Sequence, residues 1–102
     1  MGSTTLPPPV KQSKRRVKVR QAPRYRVLFH NDEITTMEFV IMVLQRYFGH
    51  DLTSATTIML EIHNKGVGQA GLYPLEIAEL KRDQTVSAAR PHYPLTVTLE
   101  PE

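Results

Sequence analysis

The chain has 102 residues and no cysteine, and 40% of its residues are hydrophobic. This length suits one small domain that buries enough apolar surface to fold, and the lack of cysteine excludes disulfides and thiolate chemistry and suits a reducing compartment. Because no apolar run approaches the roughly 20 residues that span a bilayer and no secretory signal is recognisable, we expect a soluble cytoplasmic protein without membrane contact, with the chloroplast stroma as the alternative.

The net charge of +3 combines two regions of opposite sign. The first 26 residues hold eight of the thirteen Lys and Arg residues and no acid, whereas all ten acids come later. Residues 1–23 are also rich in Pro, Ser and Thr and poor in large apolar side chains, so they cannot offset the entropy lost on ordering. We therefore predict a disordered basic extension over residues 1–23 and a folded domain over residues 24–102.

The first half of the folded domain is predicted to be a strand followed by a strongly apolar helix. Residues 25–31 alternate apolar and polar side chains, as a strand with one buried face does. Apolar residues cover more than half the circumference of a helix over residues 37–48, which should be the most buried element, with Gly49 as its C-cap. Thr35 with Glu38 three residues later is typical of a capping box at the start of this helix.

The second half is predicted from its caps and prolines. A second helix begins after Asp51 or Thr53 and is closed by Gly66. The remaining predicted elements are a strand over residues 67–73, a third helix from Pro74 to about residue 89, and a last strand over residues 95–99. The order β-α-α-β-α-β predicts an α+β fold, with a small three-stranded antiparallel sheet packed against three helices.

Several kinds of chemistry lack support in the sequence. Residues 66–71 match G-x-G-x-x-G, but the motif follows a helix and opens a strand, the reverse of its order in dinucleotide-binding domains. The four histidines show no metal-ligand spacing, and no serine has a nucleophile-elbow context. We therefore expect no enzyme activity, no metal and no cofactor.

A polar turn between the first strand and the first helix is the main candidate for a binding site. Asn31 and Asp32 place a carboxamide and a carboxylate beside Met37 and Val40, so this junction could hold a cation above an apolar hole. His63 shares a helix face with Met59 and Ile62 near the end of the second helix. It either complements the helix dipole with an exposed ring or contributes to the same site.

An ordered set of motifs across the folded domain resembles one family. The motifs are Asn-Asp-acid-x-Thr-x-Met-Glu-Phe-Val at residues 31–40, Met-Leu-x-Ile-His at residues 59–63, Gly-x₄-Gly-aliphatic-aromatic at residues 66–73, and Pro-Leu-x-x-x-Leu-Glu at residues 94–100. Together they resemble ClpS, the N-end-rule adaptor of the Clp AAA+ proteases. The resemblance implies a binding module that takes substrates with N-terminal Leu, Phe, Tyr or Trp, the N-degrons, and delivers them to a Clp unfoldase.

The resemblance also implies roles for particular residues. Asn31, Asp32 and His63 would hold the α-ammonium group of the substrate. The pocket for the N-terminal side chain would be lined by Thr35, Met37, Val40, Met59, Ile62 and Leu95. Glu76 and Lys81 match positions that dock on the N-terminal domain of a ClpA- or ClpC-type unfoldase, and the protein is expected to be a monomer.

Three positions depart from the usual pattern of this family. Glu33 stands where Asp is common, Ile34 where an aromatic is common, and Thr36 where Pro is common, so we expect a shifted ligand preference with the same recognition logic. The basic extension leaves a second hypothesis, a small ribosome- or RNA-associated protein that uses this segment. The extension lacks aromatic residues for base stacking and the folded domain is acidic, so nucleic acid is the less favoured partner.

Overall fold

The computed structural model describes residues 22–102, and the predicted disordered extension over residues 1–23 lies almost entirely outside them. The element bounds are β1 Arg24–His30, α1 Met37–Arg46, α2 Leu52–Lys65, β2 Val67–Pro74, α3 Leu75–Ala89 and β3 Thr96–Pro101. The strands form one antiparallel sheet in the order β2-β1-β3. The predicted α+β fold and its element order are therefore confirmed. No helix in the described range is long and apolar enough to cross a membrane.

β1 is the central strand of the sheet because it pairs with β2 on one edge and β3 on the other, and its alternating sequence gives it a largely buried face. Val27 and Phe29 are both 0% exposed and belong to the core. His30 pairs with Val67 of β2 on one side and with Thr96 of β3 on the other. The end of β1 is thus held on both sides, which fixes where the polar turn that follows it begins.

α1 contributes Val40, Val43 and Leu44 to the buried core, the same number of buried residues as α2 and α3, and it ends earlier than its apolar pattern indicates. The last helical residue is Arg46, and Tyr47 is the C-cap, with its N–H donating to Val43. Phe48 leaves the helical path to pack edge-on against Phe29, with 5.5 Å between ring centroids. The prediction that Gly49 is the C-cap is therefore wrong, although its φ of 71° belongs to the reversal after the helix.

The capping box predicted for Thr35 and Glu38 is also wrong. The N-cap is Thr36, whose hydroxyl accepts from the Phe39 N–H at 3.1 Å. Thr35 is instead bonded to Asp32, because its hydroxyl donates to Asp32 Oδ2 at 2.7 Å. The N-cap is therefore one residue later than predicted, and Thr35 belongs to the turn that precedes the helix.

Thr36→Ala should lower the free energy of unfolding by about 1 kcal/mol, the usual loss for a helix N-cap hydroxyl. Urea denaturation followed by circular dichroism measures this change. Thr57→Ala is the control, because the Thr57 hydroxyl only bonds back to Thr53 within α2. Equal effects of the two substitutions would contradict the assignment of Thr36 as the cap.

The ends of α2 agree with the sequence prediction. Asp51 is the N-cap and accepts from the Ser54 N–H at 2.8 Å. Gly66 ends the helix with a φ of 90°, a left-handed conformation that glycine adopts without strain. Since β2 starts at the next residue, the last turn of α2 is held close to the sheet.

Candidate functional site

A cavity of about 540 Å³ lies between the turn after β1, the first turn of α1 and the last turns of α2. Its lining residues are Asn31, Asp32, Glu33, Ile34, Thr35, Thr36, Met37, Glu38, Val40, Met59, Ile62 and His63. The polar residues come mainly from the turn and the buried apolar residues from the two helices. The structure therefore brings together the two sequence regions that carry the candidate ligands.

Asp32 organises the polar turn through its own carboxylate. Oδ1 accepts from the backbone N–H groups of Ile34, at 2.8 Å, and Thr35, at 2.6 Å. Oδ2 accepts the Thr35 hydroxyl. An ionised carboxylate has about four acceptor positions, so one position on Oδ2 is left for a ligand.

The same contacts set the charge of Asp32. Partial burial acts to raise its pKa, but the hydrogen bonds from Thr35 and Ile34 outweigh burial and hold the pKa below its ordinary value of 3.8. The carboxylate is therefore ionised at neutral pH and carries a fixed negative charge at the edge of the cavity. A negative charge in this place favours a cationic group.

Asp32 should make the folding stability depend on pH. A carboxyl group whose pKa is lowered on folding stabilises the native state above its unfolded pKa, and this stabilisation is lost as pH falls through the folded pKa. The difference in free energy of unfolding between the wild type and Asp32→Asn should thus be larger at pH 6 than at pH 3. Urea denaturation at the two pH values measures it, and a difference that grows on acidification would contradict the assignment.

Asn31 and His63 reach the cavity from two segments, the turn after β1 and the end of α2, which a backbone hydrogen bond joins. The Asn31 N–H donates to the Gly66 carbonyl at 2.9 Å, which ties the turn to the end of α2. His63 lies in the last turn of that helix. Both side chains are exposed and both line the cavity. The position of His63 near the helix C-terminus also suits the dipole interpretation, so its role stays a prediction.

The inner wall of the cavity is apolar and well buried. Val40, Met59 and Ile62 are 6%, 7% and 3% exposed, respectively. Ile62 packs against β2 so closely that a Cβ at Gly68 would lie 2.7 Å from its side chain, so glycine is required at that point. An apolar wall beneath a polar rim is suited to a ligand with a charged end and a hydrophobic side chain.

Met37 lines the cavity, whereas Leu95 lies in the hydrophobic core. Met37 is the first residue of α1, lines the cavity and is 41% exposed. Leu95 is 2% exposed in the hydrophobic core, and the structure does not place it among the lining residues. Leu95 lies directly before β3, and its side chain packs in the core of the domain. The structure therefore gives no support for a direct contact between Leu95 and a ligand in the cavity.

Four lining residues were not part of the predicted pocket. Glu33, Ile34 and Thr36 were recognised only as departures flanking the ligands, and Glu38 only as a capping partner. All four belong to the segment that carries Asp32 and Met37, and this proximity in sequence was the available signal. The cavity rim therefore holds three carboxylates, those of Asp32, Glu33 and Glu38, and no Lys or Arg.

The two predicted docking residues on α3 lie in different environments. Glu76 is exposed in the first turn of the helix. The Lys81 ammonium group donates to the Tyr47 carbonyl at 2.6 Å and lies over the rings of Phe48 and Tyr73, within 6 Å of each centroid (5.9 and 5.6 Å). Lys81 therefore holds the end of α1 against α3, in addition to any contact with a partner.

Over the described residues no cluster of His, Asp or Glu side chains has the arrangement of a metal site. The fold and the cavity together define a small α+β domain with a candidate binding cavity. Residues 20–98 match the family described as "ATP-dependent Clp protease adaptor protein ClpS". The chain therefore belongs to the ClpS family of Clp protease adaptors.

Individual relatives agree with this assignment. The ATP-dependent Clp protease adapter protein ClpS of Desulfatibacillum aliphaticivorans is 50% identical over 84 residues, which cover 80% of this chain and 81% of that protein. The protein of the same name from Hyphomonas neptunium is 46% identical over 88 residues, covering 85% and 75% of the two chains. A solved structure of Agrobacterium tumefaciens ClpS2 bound to L-phenylalaninamide superposes with a TM-score of 0.77 at 29% identity, over 80% of this chain and 100% of that one.

Proposed function

We propose that this protein binds polypeptides through a free α-ammonium group and a bulky hydrophobic N-terminal side chain, Leu, Phe, Tyr or Trp, and delivers them to a Clp AAA+ unfoldase. The observation that carries the proposal is the shared cavity, in which Asn31, Asp32 and His63 stand on the rim above the apolar wall of Val40, Met59 and Ile62. The ligand of the Agrobacterium protein, L-phenylalaninamide, has both a free α-amino group and a hydrophobic side chain.

The chemistry of an α-ammonium group matches the rim. It offers three donors and a positive charge, so it needs acceptors that converge from one side. Asp32 supplies charge and a free acceptor position, Asn31 an amide oxygen, and His63 a ring nitrogen when the imidazole is neutral. Each charge-assisted hydrogen bond contributes about 1.5–3 kcal/mol.

The apolar wall supplies a contribution of similar size. Burying a Leu or Phe side chain contributes about 1.5–3 kcal/mol. Association costs at least about 4 kcal/mol in translational and rotational freedom, so neither half of the ligand binds well alone. The cavity would therefore select for a free terminus and a hydrophobic side chain at the same time.

Fluorescence anisotropy with labelled peptides that begin with Leu, Phe, Ile or acetyl-Leu tests the binding half of the proposal. The Leu and Phe peptides should bind, the Ile peptide should bind weakly, and the acetylated peptide should not bind because it lacks the charge and two of the donors. Equal binding of Leu and acetyl-Leu peptides would contradict the proposal.

Delivery to the unfoldase is supported by the exposed surface of α3. Glu76 stands beside three exposed apolar side chains, Leu75, Ile77 and Leu80, which are 40%, 42% and 52% exposed. Exposed apolar groups next to a charge are typical of a protein-binding surface. A pull-down with the isolated N-terminal domain of a ClpA- or ClpC-type unfoldase tests it, with Glu76→Lys expected to reduce capture and retained capture counting against docking through Glu76.

A further inference from the structure

A groove of about 470 Å³ follows the outer face of α1. It is lined by Glu38, Ile41, Met42, Gln45 and Arg46. The spacing of three and four residues places these side chains along one face of the helix. Met42 is 38% exposed, although it is a large apolar side chain in the middle of this face.

The groove begins where the candidate binding cavity ends. Glu38 lines both, and it stands on the α1 side of the cavity. The candidate ammonium ligands come from the turn after β1 and from the last turn of α2. A polypeptide whose first side chain enters the cavity can therefore continue over Glu38 onto α1 without leaving the surface.

The charges along this path change sign from one end to the other. Asp32, Glu33 and Glu38 surround its start, and Arg46 stands at its far end. Within residues 22–102, no ion pair involves Glu33, Glu38 or Arg46. These charges are therefore available to a ligand, and the apolar pair Ile41 and Met42 lies between them.

The length of the groove determines which part of a substrate it can contact. Glu38 and Arg46 are eight residues apart, about 12 Å along a helix. An extended chain covers this distance in about four residues. The groove is thus matched to the residues that directly follow the N-terminal one.

We propose that the outer face of α1 binds positions two to five of the substrate polypeptide and selects for their sequence. The favoured segment has a basic residue at position two or three near Glu33 and Glu38, an apolar residue at position four over Ile41 and Met42, and an acidic residue at position five near Arg46. This inference rests on the proposed function, since the first residue must occupy the cavity.

Another path leaves the cavity over Ile34, which also lines a smaller cavity of about 300 Å³ formed with residues 90–94. That cavity contains Arg90 and His92 and so would favour an acidic residue early in the substrate. The two paths therefore predict opposite charge preferences next to the N-terminal residue, and the experiment distinguishes them.

The test compares three ligands by competition against a labelled Leu-initiated peptide: leucinamide, the pentapeptide Leu-Lys-Gly-Leu-Glu and the pentapeptide Leu-Gly-Gly-Ser-Gly. The patterned pentapeptide should bind about threefold to tenfold more tightly than the plain one. Met42→Gln should remove most of this advantage and leave leucinamide unchanged. Leu60→Gln is the matched control, because Leu60 is 44% exposed on α2 and lines neither cavity nor groove.

Reversing the charge at Arg46 distinguishes a direct contact with the peptide from a general effect on the structure, because only a direct contact changes which peptide charge is preferred. Arg46→Glu should weaken the peptide that ends in Glu and strengthen a version that ends in Lys. If leucinamide binds but both pentapeptides bind equally and Met42→Gln has no effect, the inference is wrong. If the patterned pentapeptide, which has Lys at position two, binds more weakly than the plain one, the path over Ile34 replaces the path over α1. If leucinamide itself does not bind, the proposed function fails instead.

Discussion

Asp32→Asn should weaken binding of a Leu-initiated peptide by about 10- to 100-fold, since one charge-assisted hydrogen bond contributes about 1.5–3 kcal/mol. The substitution retains the backbone hydrogen bonds of the turn, because the Asn oxygen can still accept from the N–H groups of Ile34 and Thr35. It removes the charge and the acceptor Oδ2, because an amide NH2 group can only donate. Fluorescence anisotropy at neutral pH measures the change.

Glu33→Gln is the control for this experiment, because it removes one charge from the adjacent, more exposed residue. Its effect should be about threefold or less, as for an exposed ion pair. Equal losses for Asp32→Asn and Glu33→Gln would mean that the general negative field of the rim, and not the Asp32 contact, holds the α-ammonium group. An unchanged affinity in both variants would contradict the proposed orientation of the ligand.

Met37→Ala should reduce the preference for leucinamide over isoleucinamide by about tenfold, the change expected when about 1.4 kcal/mol of steric conflict is relieved. Met37 stands at the mouth of the cavity and is 41% exposed. Our hypothesis is that Met37 leaves room for a ligand side chain branched at Cγ but crowds one branched at Cβ. Competition binding with the two amides measures the ratio.

Met42→Ala is a matched control for the Met37 prediction. Met42 is also a methionine of α1 with similar exposure, 38%, but it lies outside the cavity. With single-residue amides as ligands it should leave the ratio of leucinamide to isoleucinamide affinity unchanged. An unchanged ratio in Met37→Ala would show that Met37 does not gate the cavity.

Lys81, which the family resemblance predicts to dock on the unfoldase, also has a structural role within the domain. Its ammonium group is bonded to the Tyr47 carbonyl at the end of α1. A loss of unfoldase binding in a Lys81 variant would therefore combine a lost contact with a displaced α3. Glu76, which is exposed, separates these two effects more cleanly.

The sequence by itself determined the features that depend on neighbours in the chain. The alternation in β1 and the caps of α2 at Asp51 and Gly66 were predicted because each involves contacts between residues a few positions apart. The motif order likewise indicated the family and the residues on the rim. For the strand and the helix caps the information lies within a few residues of the feature itself.

Tertiary structure decided the features that depend on packing between distant segments. α1 ends at Arg46 because Phe48 turns to meet Phe29, although its apolar pattern continues. Leu95 is held in the core, and Glu38 joins two surface cavities only because helix and turn meet there. A local pattern does not contain such outcomes, because each depends on groups that lie far away in the sequence.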